Sequence, residues 1–155
     1  MIMQRTPLTH RLVLERHRLI ASVVSQARAR TGANLTKLCR KLVVELRDEN
    51  TCQKCGKPWS GPHSIEWAHV KTRNAKSLIY VPWNSLALCG PKRYAWSCHY
   101  WWHSSVASAM EWWRAKFTDR AVLLEAWEHA KRHPPIDRAA ERLWLENAIR
   151  SWEKP

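Results

Sequence analysis

Cys52-Gln-Lys-Cys55, Ile65-Glu66-Trp67-Ala68-His69, Asn84-Ser-Leu-Ala-Leu-Cys89 and Cys98-His99-Tyr-Trp-Trp-His103 follow one another within 52 residues. Residues 52–103 hold four of the five cysteines and four of the eight histidines. Thiolates and imidazoles are the ligands that Zn²⁺ prefers. The stretch reads as a metal-built core, with helices packed around it.

Two-residue spacing lets Cys52 and Cys55 turn both thiolates onto one ion. Cys89 and Cys98 complete a four-thiolate set, a closed structural site for Zn²⁺. The eight residues between them exceed the usual two, but a loop can bulge without moving its ends. A competing set joins Cys52 and Cys55 to His99 and His103. Its gap of 43 residues compares with about 12 in a Cys₂His₂ finger, and it would leave two cysteines without a role. His99 and His103, spaced i, i+4 on a predicted helix, share a face and can bind a second ion together; the alternative is two surface histidines. Cys39 falls in an apolar stripe and reads as a small buried hydrophobe.

The 155 residues suggest one domain, 1–155, with N-terminal helices over 1–50, the metal core over 51–117 and C-terminal helices over 118–155. The fold class is α+β. Apolar periodicity predicts helices over 8–30, 35–47, 98–117, 118–132 and 137–152, and strands over 63–71 and 86–89. Trp102, Val106, Ala109 and Trp113 form one predicted stripe. Ile136, Ala140, Leu143, Trp144 and Ala148 form another, and Trp127 is expected in the core. Trp59, Trp83 and Trp96 fall in loops, where base stacking competes with plain packing.

The net charge is +13, and its distribution is uneven. Residues 1–50 carry 10 basic and 4 acidic groups, 51–100 carry 7 and 1, and 101–155 carry 9 and 8. An excess concentrated beside a metal cluster favours a polyanion; DNA is the expected partner, and RNA presents the same phosphate charge. Lys71, Arg73, Lys76, Lys92 and Arg93 are the candidate contacts. No apolar run is long enough to span a bilayer, and Met1-Ile-Met-Gln-Arg-Thr-Pro lacks a signal-peptide stretch. The expected location is cytoplasmic, where clustered cysteines read as metal ligands before disulfides.

The order CxxC, His69, Asn84-x-x-x-Leu-Cys89, Cys98-His99 resembles an HNH (ββα-metal) nuclease with a zinc-ribbon staple. Ala68-His-Val-Lys-Thr-Arg73, Pro82-Trp-Asn-Ser-Leu-Ala-Leu-Cys89 and Cys98-His-Tyr-Trp-Trp-His103 are similar to phage recombination nucleases of the NinG type. The similarity covers about residues 50–117; the flanks carry no signature. The resemblance implies a phosphodiester hydrolase acting in recombination or repair of phage or prophage DNA, including branched or single-stranded forms. His69 would be the general base, Asn84 would hold the loop that orients it, and His99 would bind a catalytic divalent metal such as Mg²⁺ or Mn²⁺. His103 would be a second ligand. One departure stands out: many family members place Asp or His just before the base, where this chain has Ala68. Glu66 shares a strand face with Ala68; it either reaches toward the ion or pairs with a nearby base. The alternatives are a zinc-stabilised DNA-binding protein without activity and an adaptor that docks protein partners through exposed tryptophans. Oligomeric state is open; a dimer would suit a four-way junction.

Overall fold

The computed structural model describes residues 31–72, 74–133 and 135–153. The helix expected over 8–30 and the candidate contact Arg73 lie outside these residues. The chain divides into two compact units, Met1–Asn34 and Leu35–Pro155, and the second carries everything described below.

Residues 35–40 are helical and lead into α1 (Lys41–Arg47), which is wound as a π-helix. The wider turn of i→i+5 bonding rotates Val44 inward, so Leu42, Val43 and Val44 are buried in succession. Leu38 and Leu46 are partly buried and pack against the core from its edge. Cys39 is fully buried and its thiol donates to the carbonyl of Tyr80 (3.2 Å). Burial pushes that thiol up, as does the nearby Glu141 carboxylate, which keeps it inert.

β1 (Ile65–His69) and β2 (Ser85–Cys89) form one antiparallel pair, with Ile65 opposite Cys89 and His69 opposite Ser85. Every residue of β2 is buried. Its outer edge is covered rather than left open: Ala87 N–H donates to the Asp48 carboxylate (2.8 Å), and Ala87 C=O accepts from Gln53 N–H (2.9 Å). Asp48 is itself ion-paired with Arg47, whose guanidinium also donates to the carbonyls of Pro82 and Ser85. This pair fastens α1 to the sheet and satisfies a backbone edge that would otherwise be orphaned.

Four helices follow: α2 (Cys98–Ser104), α3 (Val106–Lys116), α4 (Thr118–His129) and α5 (Arg138–Trp152). Ser97 Oγ caps α2 by accepting from Tyr100 N–H (3.0 Å). The single helix expected over 98–117 is broken at Ser105, whose φ −122° and ψ 55° are not helical. The break folds α3 back so that Trp112 meets Trp101 and Trp102 edge-on, at 5.8 and 6.3 Å. It also turns Val106 out to 60% exposure, while Trp102, Ala109 and Trp113 stay buried.

Asp137 caps α5 by accepting from Ala139 and Ala140 N–H. The face buried by α5 is one position round from the expected stripe: Leu145 and Ile149 are inside, Ala140, Leu143 and Trp144 outside. A polar Glu141 at the head of the true stripe disguises it. Trp127 is half-buried, donating to Ser77 Oγ (3.2 Å). Trp83 packs against the core from a 3₁₀ turn (Pro82–Asn84), which removes it from the stacking candidates. The architecture is mixed α+β, and no helix among the described residues is long and apolar enough to cross a membrane.

Candidate metal centres and the adjoining cleft

The sulfurs of Cys52, Cys55, Cys89 and Cys98 all lie within 4.8 Å of one another. Two come from the knuckle before β1, one ends β2 and one starts α2. Cys55 and Cys89 sulfurs are 3.9 Å apart. Two sulfurs bound tetrahedrally at about 2.3 Å are separated by ~3.8 Å, so the spacing fits one ion. Cys98 N–H donates to Cys89 Sγ (3.3 Å), which orients that sulfur. Burial raises the Cys52 and Cys98 thiols; at Cys55 hydrogen bonds from the Lys57 backbone and the neighbouring thiols outweigh burial and lower it. Four sulfurs this close cannot all ionise without a cation to share. The quartet can hold a metal ion, and the competing set of Cys52 and Cys55 with the two histidines is not the one brought together.

His99 and His103 lie one turn apart on α2, with Nε2 atoms 3.2 Å from each other. Two imidazoles on one ion at about 2.0–2.1 Å place their nitrogens ~3.3 Å apart at a tetrahedral angle. His99 Nδ1 donates to Glu66 Oε2 (2.7 Å). That bond leaves the lone pair of the neutral ring on Nε2, facing His103. A carboxylate behind a metal-binding imidazole is a common orienting arrangement. Glu66 also accepts from Lys92 N–H (3.3 Å). Its partner is therefore His99, rather than the lysine or arginine side chain considered from the sequence. Burial holds both imidazoles below the ordinary histidine range; Glu66 opposes this at His99, and Lys92 adds to it at both. Both rings are consequently neutral and ligand-competent at neutral pH.

His69 ends β1, on the strand face that also carries Trp67, and the two rings lie 4.3 Å apart. Its Nε2 donates to the carbonyl of Ile79 (3.1 Å). A carbonyl only accepts, so this bond fixes the proton on Nε2 and the lone pair of the neutral ring on Nδ1. The main chain of His69 is held too, by Trp102 Nε1–H donating to its carbonyl (2.9 Å).

The loop that supplies Ile79 is organised by Asn84, which is fully buried. Asn84 Oδ1 accepts from Lys71 N–H (2.8 Å), and Nδ2 donates to the carbonyls of Lys71 (3.2 Å) and Leu78 (3.1 Å). Its own carbonyl accepts from Val70 N–H (2.7 Å). Asn84 thus closes the residues after β1 onto the start of β2.

His69, His99 and His103 line one open cleft of about 810 Å³, together with Glu66, Lys92 and Arg40. Arg40 comes from the helix before α1 and nothing in the central motif points to it; only its i→i+5 pairing with Glu45 (3.0 Å) marks its neighbourhood. Lys71 and Lys76 are not in the lining. Lys71 is ion-paired with Glu128 of α4, and Lys76 begins a 3₁₀ turn (Lys76–Leu78) that faces a separate hollow with Trp127 and His133. Arg93 is exposed beside Tyr94.

No protein-family model, curated protein or solved structure significantly matches the chain.

Proposed function

We propose that the chain is an HNH-type endonuclease that hydrolyses phosphodiester bonds of DNA with the help of a divalent metal ion. The observation that carries this reading is the shared cleft: a histidine with its tautomer fixed stands beside two histidines whose nitrogens are spaced for one ion. Charge supports it, since the only acidic residue in 51–100 is Glu66, and Glu66 is engaged with His99. A phosphate can enter the cleft without meeting a free carboxylate from that stretch.

In this mechanism His69 Nδ1 takes the proton of the attacking water while its Nε2–H stays on Ile79. The water oxygen bonds to phosphorus, the bond to the 3′ oxygen breaks, and that oxygen takes a proton from solvent. The ends implied by the family resemblance are a 5′-phosphate and a 3′-hydroxyl. A Mg²⁺ or Mn²⁺ ion on His99 and His103 would supply Lewis acidity at the phosphate and at the departing oxygen. Glu66 keeps His99 turned toward it, and Lys92 and Arg40 offer positive charge to the phosphate. Asn84 acts as a positioning residue through the loop that carries Ile79. In the same reading the four cysteines hold a structural Zn²⁺ that fixes the start of α2. The biological setting is recombination or repair of phage-type DNA in the cytoplasm.

A second reading has a specific observation behind it. Ala68 offers no ligand, and the His pair supplies only two protein nitrogens. A zinc-stabilised DNA-binding protein without activity would look the same at this point. A nicking assay on supercoiled DNA with added Mg²⁺ or Mn²⁺ separates the two. Cutting that His69→Ala loses supports the nuclease. Binding without cutting at any metal concentration selects the second reading.

A further inference from the structure

We propose that Tyr94 and Trp96 form a stacking platform for an unpaired nucleobase, so that the substrate is DNA with unpaired nucleotides next to the phosphate to be cut. The proposal deepens the endonuclease reading and rests on it for the word substrate; the platform itself stands on separate observations.

The eight residues between Cys89 and Cys98 are six more than a metal knuckle needs. They form a built loop: Ser97 Oγ donates to the carbonyl of Pro91 (2.9 Å), and Ser97 N–H to that of Tyr94 (2.9 Å). Its tip puts two aromatic rings outside. Tyr94 and Trp96 are parallel to within 10°, with centroids 5.4 Å apart, and are 41% and 67% exposed. Exposing that much apolar ring on a pinned loop has no packing rationale.

Charge identifies the partner. The Arg93 guanidinium lies 5.1 Å from the Tyr94 ring, and the Lys57 ammonium 5.9 Å from that of Trp96. Lys92 begins the exposed run 92–96, which contains no acidic residue. Parallel rings among cations suit a base with its phosphate, and disfavour an apolar protein face, which would bury three charges.

Position links the platform to the cleft. Lys92 lines the cleft beside His99. Tyr94 is two residues further and Trp96 four, so their Cα atoms lie within ~7 and ~14 Å of that of Lys92. Both distances fall inside the ~4 nucleotides covered by the smallest single-strand sites. A duplex keeps its bases stacked on each other, so the platform can take only a base that is already unpaired or has been displaced.

The test uses the full metal-loaded chain without added divalent ion, and two fluorescent 12-mers, oligothymidine and a fully abasic strand with the same phosphates. The expected result is that oligothymidine binds tighter on the order of ten-fold or more, and that Trp96→Ala removes most of this margin while leaving abasic binding unchanged. Equal binding of the two strands, or a margin indifferent to both Trp96→Ala and Tyr94→Ala, overturns the proposal. So does a Trp96→Ala change that alters the sedimentation coefficient but not oligothymidine affinity, which would make the platform a protein contact. Cleavage is scored separately on duplex and gapped DNA. A base-dependent margin without cleavage supports the platform and sinks the nuclease; cleavage without a margin does the reverse.

Discussion

Gly90 lies against the side chain of Glu66 so closely that a Cβ added there would meet Glu66 Cγ at 2.6 Å and Oε2 at 2.8 Å. The crowded oxygen, Oε2, is the one that accepts from His99 Nδ1. Gly90→Ala should therefore push Glu66 off His99 Nδ1 and free that ring to turn. The divalent metal needed for half-maximal cleavage is expected to rise about 10–100-fold, the usual effect of losing such an orienting partner. Glu66→Ala should give a similar rise. Metal titrations of cleavage check both; unchanged curves would show that Glu66 does not orient the His pair.

Metal removal should unfold the core. The apparent binding energy of structural zinc in small peptides is about 10–16 kcal/mol, comparable to the whole stability of an ordinary domain, about 5–15 kcal/mol. About one tightly held ion per chain is expected, lost in Cys52→Ser together with the cooperative melt. Cys39→Ala should keep the ion, because Cys39 bonds Tyr80 and is not in the quartet. Elemental analysis after desalting, paired with thermal melts, decides.

His69→Ala and Asn84→Ala should part company. Loss of the base should cost about 10²–10⁴ in single-turnover rate with little change in Tm, since the ring is only half-buried. Loss of Asn84 leaves Lys71 N–H and the Lys71 and Leu78 carbonyls without their side-chain partner. At about 1–3 kcal/mol for each buried orphan, Tm should fall along with the rate. An Asn84→Ala protein that melts like wild type would deny it the positioning role.

The pH response of metal binding follows from burial of the His pair. Both rings sit below the ordinary histidine value of about 6.5. Above that value they are neutral folded or unfolded, so metal affinity should be flat. As pH falls below it, the unfolded chain takes up protons first, and stability declines until the lowered folded values are passed. Mn²⁺ affinity should likewise hold to lower pH than for free imidazoles. An affinity that already falls between pH 8 and 7 would contradict this.

The central motif is legible in sequence because ligand chemistry constrains residue type and spacing together. Cys52, Cys55, Cys89 and Cys98 can be grouped from their identities alone, and the two strands from the residues around His69 and Cys89. What is hidden has physical causes. The break at Ser105 leaves the apolar period of 98–117 intact, so periodicity reads through it. The face of α5 is set by what α1 offers, not by its own composition, and Trp144 misleads because a large ring outside looks like a large ring inside. Arg40 reaches the cleft through packing of a helix remote in sequence. The pairing of Lys71 with Glu128 depends on where α4 lies, which no local pattern encodes.

Cys98 and His99 are consecutive residues at the head of a seven-residue helix. One peptide bond therefore separates a member of the cysteine quartet from the imidazole held by Glu66. The helix is only ~10 Å long and carries Cys98, His99 and His103 within two turns, so a shift at Cys98 moves the support of both rings. Anything that spreads the four sulfurs therefore also displaces the histidines of the cleft. The geometry of the cleft thus depends on a cysteine that is not part of its lining.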